Sequence, residues 1–296
     1  MRRGDLIDAM PQAPGMRYVA SHRFPGDGAA GTAENCWVVE EQALFVDVAE
    51  VGLFTMMWTT TDRHSAAGYL PGCGVLGESH SPEALALCVG FLLTDGLIDS
   101  MADLASLAVC DDAPDVVKVV LADPARVRSH RRGGLVASSC GICGSIDRVG
   151  SALDALAGVP DTLRLASAQV VALMDSMQSC QTVFRGTGGA HAAALFGPDM
   201  RLLASAEDLG RHNALDKVIG QCMLRQQPTG GGCVTLSGRV SLELVVKAAR
   251  AGVEIVSAVS APSSLAIDVA DRVGITLCGF VRSGRLTAFS HAHRLG

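Results

Sequence analysis

The chain has few aromatics, 4% of 296 residues, and few charges, 18%. It also has only three lysines (Lys118, Lys217, Lys247) against 21 arginines. Its longest apolar run, residues 84–93, is about half of what crossing a bilayer requires, and Met1-Arg2-Arg3 leads into no signal-like segment. No membrane association is expected, and the protein is expected to be cytoplasmic. Thirty acidic against 24 basic residues give a net charge of -6, so no overall positive field exists for a nucleic-acid backbone. Ten cysteines are too sparse for a secreted disulfide scaffold in a chain this long, which predicts mostly reduced thiols. What is present in quantity is hydrophobic: 49% of residues, enough for a sizeable core.

The organisation reads as two lobes. Residues 1–34, rich in Gly, Ala and Pro, look like a loose leader. A smaller β-rich lobe is expected over 35–128, with strands at 36–39, 44–48 and 53–58 forming an antiparallel sheet. An irregular loop over 63–81 then precedes a helix that Ser81 could cap, and a strand at 116–121 closes the lobe. Residues 129–147 read as a flexible hinge, and 148–296 as the main domain. In that domain the apolar runs 233–236, 254–259 and 275–281 recur at about 21-residue spacing, with helical segments 242–251 and 264–273 between them. That spacing predicts parallel strands with right-handed crossovers, hence an α/β sandwich.

Five segments can carry chemistry. The first is Cys140-Gly141-Ile142-Cys143-Gly144, a C-x-x-C preceded by Arg126, Arg128, His130, Arg131 and Arg132. Positive charge lowers a thiol pKa from its ordinary value near 8.5, so a reactive thiolate is expected at Cys140 or Cys143. Such a pair could relay sulfur, cycle through a disulfide or supply half of a zinc site. No second C-x-x-C completes a zinc template, and no strand-to-helix context supports thioredoxin-like chemistry.

The second is Thr187-Gly188-Gly189-Ala190-His191, a glycine turn expected to open a helix and suit anions. His191-Ala192-Ala193 lacks the Glu of the H-x-E in zinc deaminases, which argues against deamination. The third is Glu207-Asp208-Leu209-Gly210-Arg211-His212-Asn213, continuing to Lys217, whose crowded polar groups read as ligand recognition rather than capping alone. The fourth pairs the turns after two parallel strands, Ser237-Gly238-Arg239 and Ser260-Ala261-Pro262-Ser263, at the carboxyl edge where phosphorylated ligands bind. The fifth is Phe280-Val281-Arg282-Ser283-Gly284-Arg285, a tight turn whose two arginines could charge that same edge.

Taken together and in order, these segments resemble the FdhD family of formate dehydrogenase accessory sulfurtransferases, from about Asn35 to the C-terminus and most strongly from Ser138 onward. The resemblance implies a cytidine-deaminase-like α/β domain without catalytic zinc, often in a homodimer. It further implies a persulfide relay from a cysteine desulfurase to bis-molybdopterin guanine dinucleotide, which is later inserted into the formate dehydrogenase apoenzyme. On that basis Cys140 would carry the persulfide with Cys143 as its partner. The turn from Phe280 to Arg285 would match the family's cofactor-contacting segment, with Gly188, Gly189, His191, Arg211, His212, Ser237, Arg239, Ser260 and Ser263 as further contacts. Two departures stand out: residues 63–80 look like an insertion, and Ala206 occupies the place of the Arg that usually precedes Glu-Asp. A non-catalytic cofactor chaperone and a dithiol oxidoreductase are the competing readings.

Overall fold

The computed structural model describes residues 14–61, 67–76, 82–110, 112–128, 135–136 and 156–296. The chain opens with an antiparallel ribbon, β1 (Met16–Arg23) on β2 (Thr32–Val39). The expected loose leader is therefore corrected for Met16–Arg23. That strand carries little apolar periodicity of its own. It is held by its ladder to β2 and by Met16, which is buried with Val183 and Ala190.

A seven-stranded sheet follows, built from β3 (Gln42–Val48), β4 (Gly52–Trp58), β5 (Ala67–Leu70), β6 (Gly74–Leu76), β7 (Leu104–Cys110), β8 (Ala113–Leu121) and β9 (Leu135–Val136). Its order is β6-β5-β7-β8-β3-β4-β9. Alternation along β3 and β4 buries Leu44, Val46, Val48, Phe54, Met56 and Trp58 on one face, as expected for a sheet covered on that side. Two expectations change here. The run at 36–39 pairs with β1 instead of joining β3, and part of the loop expected over 63–81 is the β5–β6 hairpin, which extends the sheet through β7.

Helix α1 (Glu83–Thr94) is buried along its whole length. It lies against the seven-stranded sheet and against α4 (Arg211–Leu224) of the second half, which explains an apolar run without a polar face. The expected cap, Ser81, lies outside the described residues, and Pro82 takes the N-cap position. Gly90 and Gly220 make the close crossing of α1 and α4 possible. A Cβ on Gly90 would strike the Asp216 carbonyl, and one on Gly220 the Ala86 carbonyl.

The second sheet has the order β11-β10-β12-β13-β14-β15. Its strands are β10 (His191–Phe196), β11 (Leu202–Asp208), β12 (Cys233–Leu236), β13 (Ile255–Ala258), β14 (Thr276–Arg282) and β15 (Arg285–Ser290). As the spacing predicts, β12, β13 and β14 are parallel, joined through α5 (Leu242–Arg250) and α6 (Ser264–Val273). Every residue of β12 and β13 is buried, because helices cover both faces. Helix α2 (Ser167–Cys180) packs over Ala194, Phe196, Ile255 and Val281 on the opposite face from α4. A short helix α3 (Thr182–Thr187) follows it. The seven-stranded sheet takes in β9 at 135–136, within the stretch expected to be a hinge, and Leu44, Phe54, Leu87, Leu215, Val245 and Leu277 belong to one continuous core across both sheets.

Candidate functional site

The carboxyl ends of the parallel strands gather the turns that the sequence singled out. The Val259 amide donates to the Leu236 carbonyl (3.1 Å), Val240 to Ala261 (3.2 Å), Ser263 to Val240 (2.9 Å) and Phe280 to Ser260 (3.2 Å). These bonds stitch the turns after β12 and β13 to the end of β14. Because β10 runs antiparallel to β12, its first residue, His191, arrives at the same edge. Two bonds fix that join, Ser237 N–H to the Ala192 carbonyl (3.0 Å) and Ala192 N–H to Ser237 Oγ (2.8 Å). Strand β11 completes the edge by pairing Asp208 with His191, which brings Arg211 and His212 in on the first turn of α4.

This edge carries four arginines, Arg211, Arg239, Arg282 and Arg285. Arg211 is half-buried, and its Nε is shielded from solvent with no hydrogen-bond acceptor among the described residues. Arg239, Arg282 and Arg285 are exposed, and Arg282 pairs with Arg285 across the hairpin turn. Like charges directly opposite repel, an arrangement that an anion would relieve. Ser283 and Gly284 form that turn at φ 52° and 75°, the mirror-image geometry favoured by two-residue hairpins. Phe280 also has positive φ, 55°, unusual for a bulky residue, and the residue is 40% exposed.

The model of the FdhD/NarQ family matches residues 79–296. The chain belongs to the FdhD/NarQ family. Sulfur carrier protein FdhD of Anaeromyxobacter dehalogenans is 41% identical over 229 residues, spanning 71% of this chain and 78% of that protein. The Streptomyces avermitilis protein of the same name is 35% identical over 272 residues, spanning 91% and 92%. The crystal structure of a Desulfotalea psychrophila protein described as a formate dehydrogenase accessory protein shares the fold. Its TM-score is 0.71 at 21% identity, over 95% of this chain and all of that one.

In this FdhD/NarQ chain some expected site residues have other work. Gly188 does not open a helix. It is the left-handed C-cap of α3 (φ 71°), its N–H bonded to the Phe184 carbonyl (2.7 Å), and the Gly189 N–H is taken by Thr187 Oγ (3.1 Å). The turn therefore ends a helix and starts a strand, and its donors are already used. Val281 is wholly buried under α2, so only its neighbours face the edge. Ser263 caps α6 through the Ala266 N–H (3.2 Å), and His212 pairs with Glu243 of α5 (2.9 Å).

The segment 207–217 is mainly an internal clamp. Glu207 accepts from the Val183 and Phe184 amides (2.7 and 2.8 Å), capping α3, and burial pushes its carboxyl above the ordinary value against those bonds. Asp208 accepts from Thr59 N (3.0 Å), Gly210 N (2.8 Å) and Asn213 Nδ2 (3.0 Å). Capping, one alternative to ligand recognition for this segment, accounts for part of it, and buried ties to Thr59 and Glu83, in place of the surface ion pairs that were the other alternative, account for most of the rest; Arg211 is left at the carboxyl edge. The sequence reading missed Glu243, the partner of His212. Its position two residues after Ser241, at the start of an amphipathic helix, is the signal that could have found it.

Cys140 and Cys143 lie outside the described residues. Burial pushes the Cys222 thiol up to about 11 and the Cys278 thiol up to about 12, and it raises Cys88 and Cys233 further, so these four are unreactive core residues. Among the described residues no three His, Cys, Asp or Glu side chains gather as metal ligands, and no helix is long and apolar enough to cross a membrane.

Proposed function

We propose that this FdhD/NarQ protein is a sulfurtransferase that carries sulfane sulfur on Cys140 and passes it to bis-molybdopterin guanine dinucleotide, required for formate dehydrogenase activity. The observation that carries the reading is the convergence of His191, Arg211, Ser237, Arg239, Ser260, Ser263, Phe280 and the 282–285 turn on one carboxyl edge that bears four arginines, with Arg211 Nε buried and without an acceptor among the described residues. Arginine forks on a sheet edge that also offers helix N-termini match the pyrophosphates and guanines of such a substrate. The orphaned Arg211 Nε is a donor awaiting an acceptor. Gly188, Gly189 and Val281 would contribute only backbone or shape.

The chemistry starts with the Cys140 thiolate attacking the outer sulfur of a cysteine desulfurase persulfide; the desulfurase cysteine leaves as a thiolate, and Cys140 keeps the sulfane sulfur. Releasing that sulfur at the sulfide level takes two electrons, which Cys143 supplies by forming a disulfide with Cys140. The protein acts in the cytoplasm as a homodimer between the desulfurase and the formate dehydrogenase apoenzyme. Residues 148–296 supply the cofactor-binding domain and 35–128 the smaller lobe, to whose sheet Leu135–Val136 adds β9, and Cys140 and Cys143 fall between the two in sequence. The sheet order β11-β10-β12-β13-β14, with a hairpin followed by parallel crossovers, supports a cytidine-deaminase-like reading of the larger domain.

Intact mass spectrometry after incubation with a cysteine desulfurase and cysteine tests this. The expected result is a reducible gain of roughly 32 Da that disappears in Cys140→Ala. Cys140→Ala retaining both the added mass and formate dehydrogenase maturation would overturn it. Maturation without any added mass in the parent protein would favour a chaperone.

A further inference from the structure

His191 is built into the edge in a way that simple contact does not require. Its ring lies on the backbone of the turn after β12: a Cβ at Gly238 would sit 3.1 Å from Nδ1 and 3.2 Å from Cε1, and 3.7 Å from Arg211 Cδ. The imidazole and the Arg211 guanidinium stem thus share one glycine as their floor. Nδ1 stands 3.5 Å from Ser237 Oγ. That oxygen already accepts the Ala192 N–H (2.8 Å) and keeps one lone pair and one rotatable proton. Ser237 can therefore give its proton to a bare Nδ1 or accept one from a protonated Nδ1.

We propose that His191 is the proton-coupled member of this anion site, taking a proton from solvent onto its ring as the pyrophosphate of the nucleotide substrate docks against Arg211. The proposal rests on the carboxyl-edge reading above. In the free protein, burial holds the imidazole below its ordinary value of 6.5. Arg211, His212 and Arg239 push in the same direction, and Asp208 opposes them. Asp208 is itself held by Lys217 (2.8 Å), and His212 by Glu243 (2.9 Å), so the charge facing the ring that a ligand can offset is mainly that of Arg211 and Arg239. A fully ionised pyrophosphate diester there reverses the sign of the local field, raising the ring's pKa and adding one more cation to the ligand's shell. The Ser237 hydroxyl, now accepting from Nδ1, is freed to donate to a ligand oxygen.

The sign follows from linkage: the bound state holds more protons than the free state, so affinity rises as pH falls and weakens as pH rises through the bound-state pKa. The test is calorimetric titration of the full chain with diguanosine pyrophosphate, whose diester phosphates do not titrate near neutrality, in buffers of different ionisation enthalpy. The expected result is net proton uptake near neutral pH and affinity that falls by up to about tenfold per pH unit above it. His191→Gln is expected to bind with neither effect. The His191 Cε1–H resonance, followed by NMR against pH with and without ligand, gives an independent reading of the same shift. Binding by the parent protein without proton uptake, or uptake retained in His191→Gln, overturns this proposal alone. Failure of the parent protein to bind the probe overturns the carboxyl-edge reading together with it.

Discussion

Lys217 and Asp208 form an ion pair at 2.8 Å in which neither side chain reaches solvent. The same ammonium meets Glu83 of α1 (3.0 Å) and the carbonyls of Thr59 (2.5 Å) and Glu207 (3.0 Å), and lies 5.1 Å from the centre of the Trp58 ring. One cation thus ties β4, α1 and β11 to the helix that carries Arg211. Because Asp208 also fixes the Gly210 and Asn213 ends of that turn, the clamp sets where Arg211 starts.

Removing the cation leaves two buried carboxylates without their shared partner. Lys217→Met is expected to cost roughly 3–5 kcal/mol, read by urea denaturation. Burial alone would lower the Lys217 pKa, but Asp208 and Glu83 outweigh it and hold it above 10.5. The pair's contribution is therefore complete below that value and fades as pH rises through the folded-state pKa. The difference between parent and variant should therefore shrink as the solution is made strongly alkaline.

The glycine crossing sets two effects against each other. Alanine in a helix interior gains about 1 kcal/mol over glycine, yet overpacking costs about 1–3 kcal/mol or more. At Gly90 and Gly220 a methyl would meet the backbone carbonyls of Asp216 and Ala86, which cannot rotate aside. Gly90→Ala and Gly220→Ala should each lower the thermal midpoint. An unchanged or raised midpoint would mean that the helices can separate at no cost.

At the amino edge of the second sheet, Arg294 and Glu254, both buried, meet at 3.2 Å, and Glu254 also accepts from Thr162 N and Leu163 N at 2.8 Å. Burial pushes the Glu254 carboxyl up, but these bonds and Arg294 outweigh it and hold its pKa below 4.5. Its stabilisation is present above that ordinary value and is lost as pH falls through the folded-state pKa. Glu254→Gln should be less stable at neutral pH and converge with the parent in acid, followed by circular dichroism against pH.

The arginines should separate by burial. Charged hydrogen bonds contribute about 1.5–3 kcal/mol, so Arg211→Leu is expected to weaken diguanosine pyrophosphate binding about 10- to 100-fold with little dependence on salt. Arg282→Ala and Arg285→Ala, at exposed positions, should lose less, and most of that loss should vanish at high salt.

Local pattern alone determined much of this protein. The helical segments expected over 242–251 and 264–273 are α5 and α6, and the run 233–236 is β12, because those segments bury one stripe or one short strand whose signal is contained within itself. The carboxyl-edge turns were legible for the same reason: a strand that ends in Ser, Gly or Pro before a helix announces a turn.

Other features depended on partners distant in sequence, and only the tertiary structure decided them. Whether Gly188 starts or ends a helix turned on α3, six residues long and too short to carry a periodic signal. Whether Asp208 and Lys217 serve a ligand or the core turned on Thr59 and Glu83, more than a hundred residues away. A buried polar group must find its counter-charge wherever the fold supplies it, and that pairing leaves no mark in the local sequence.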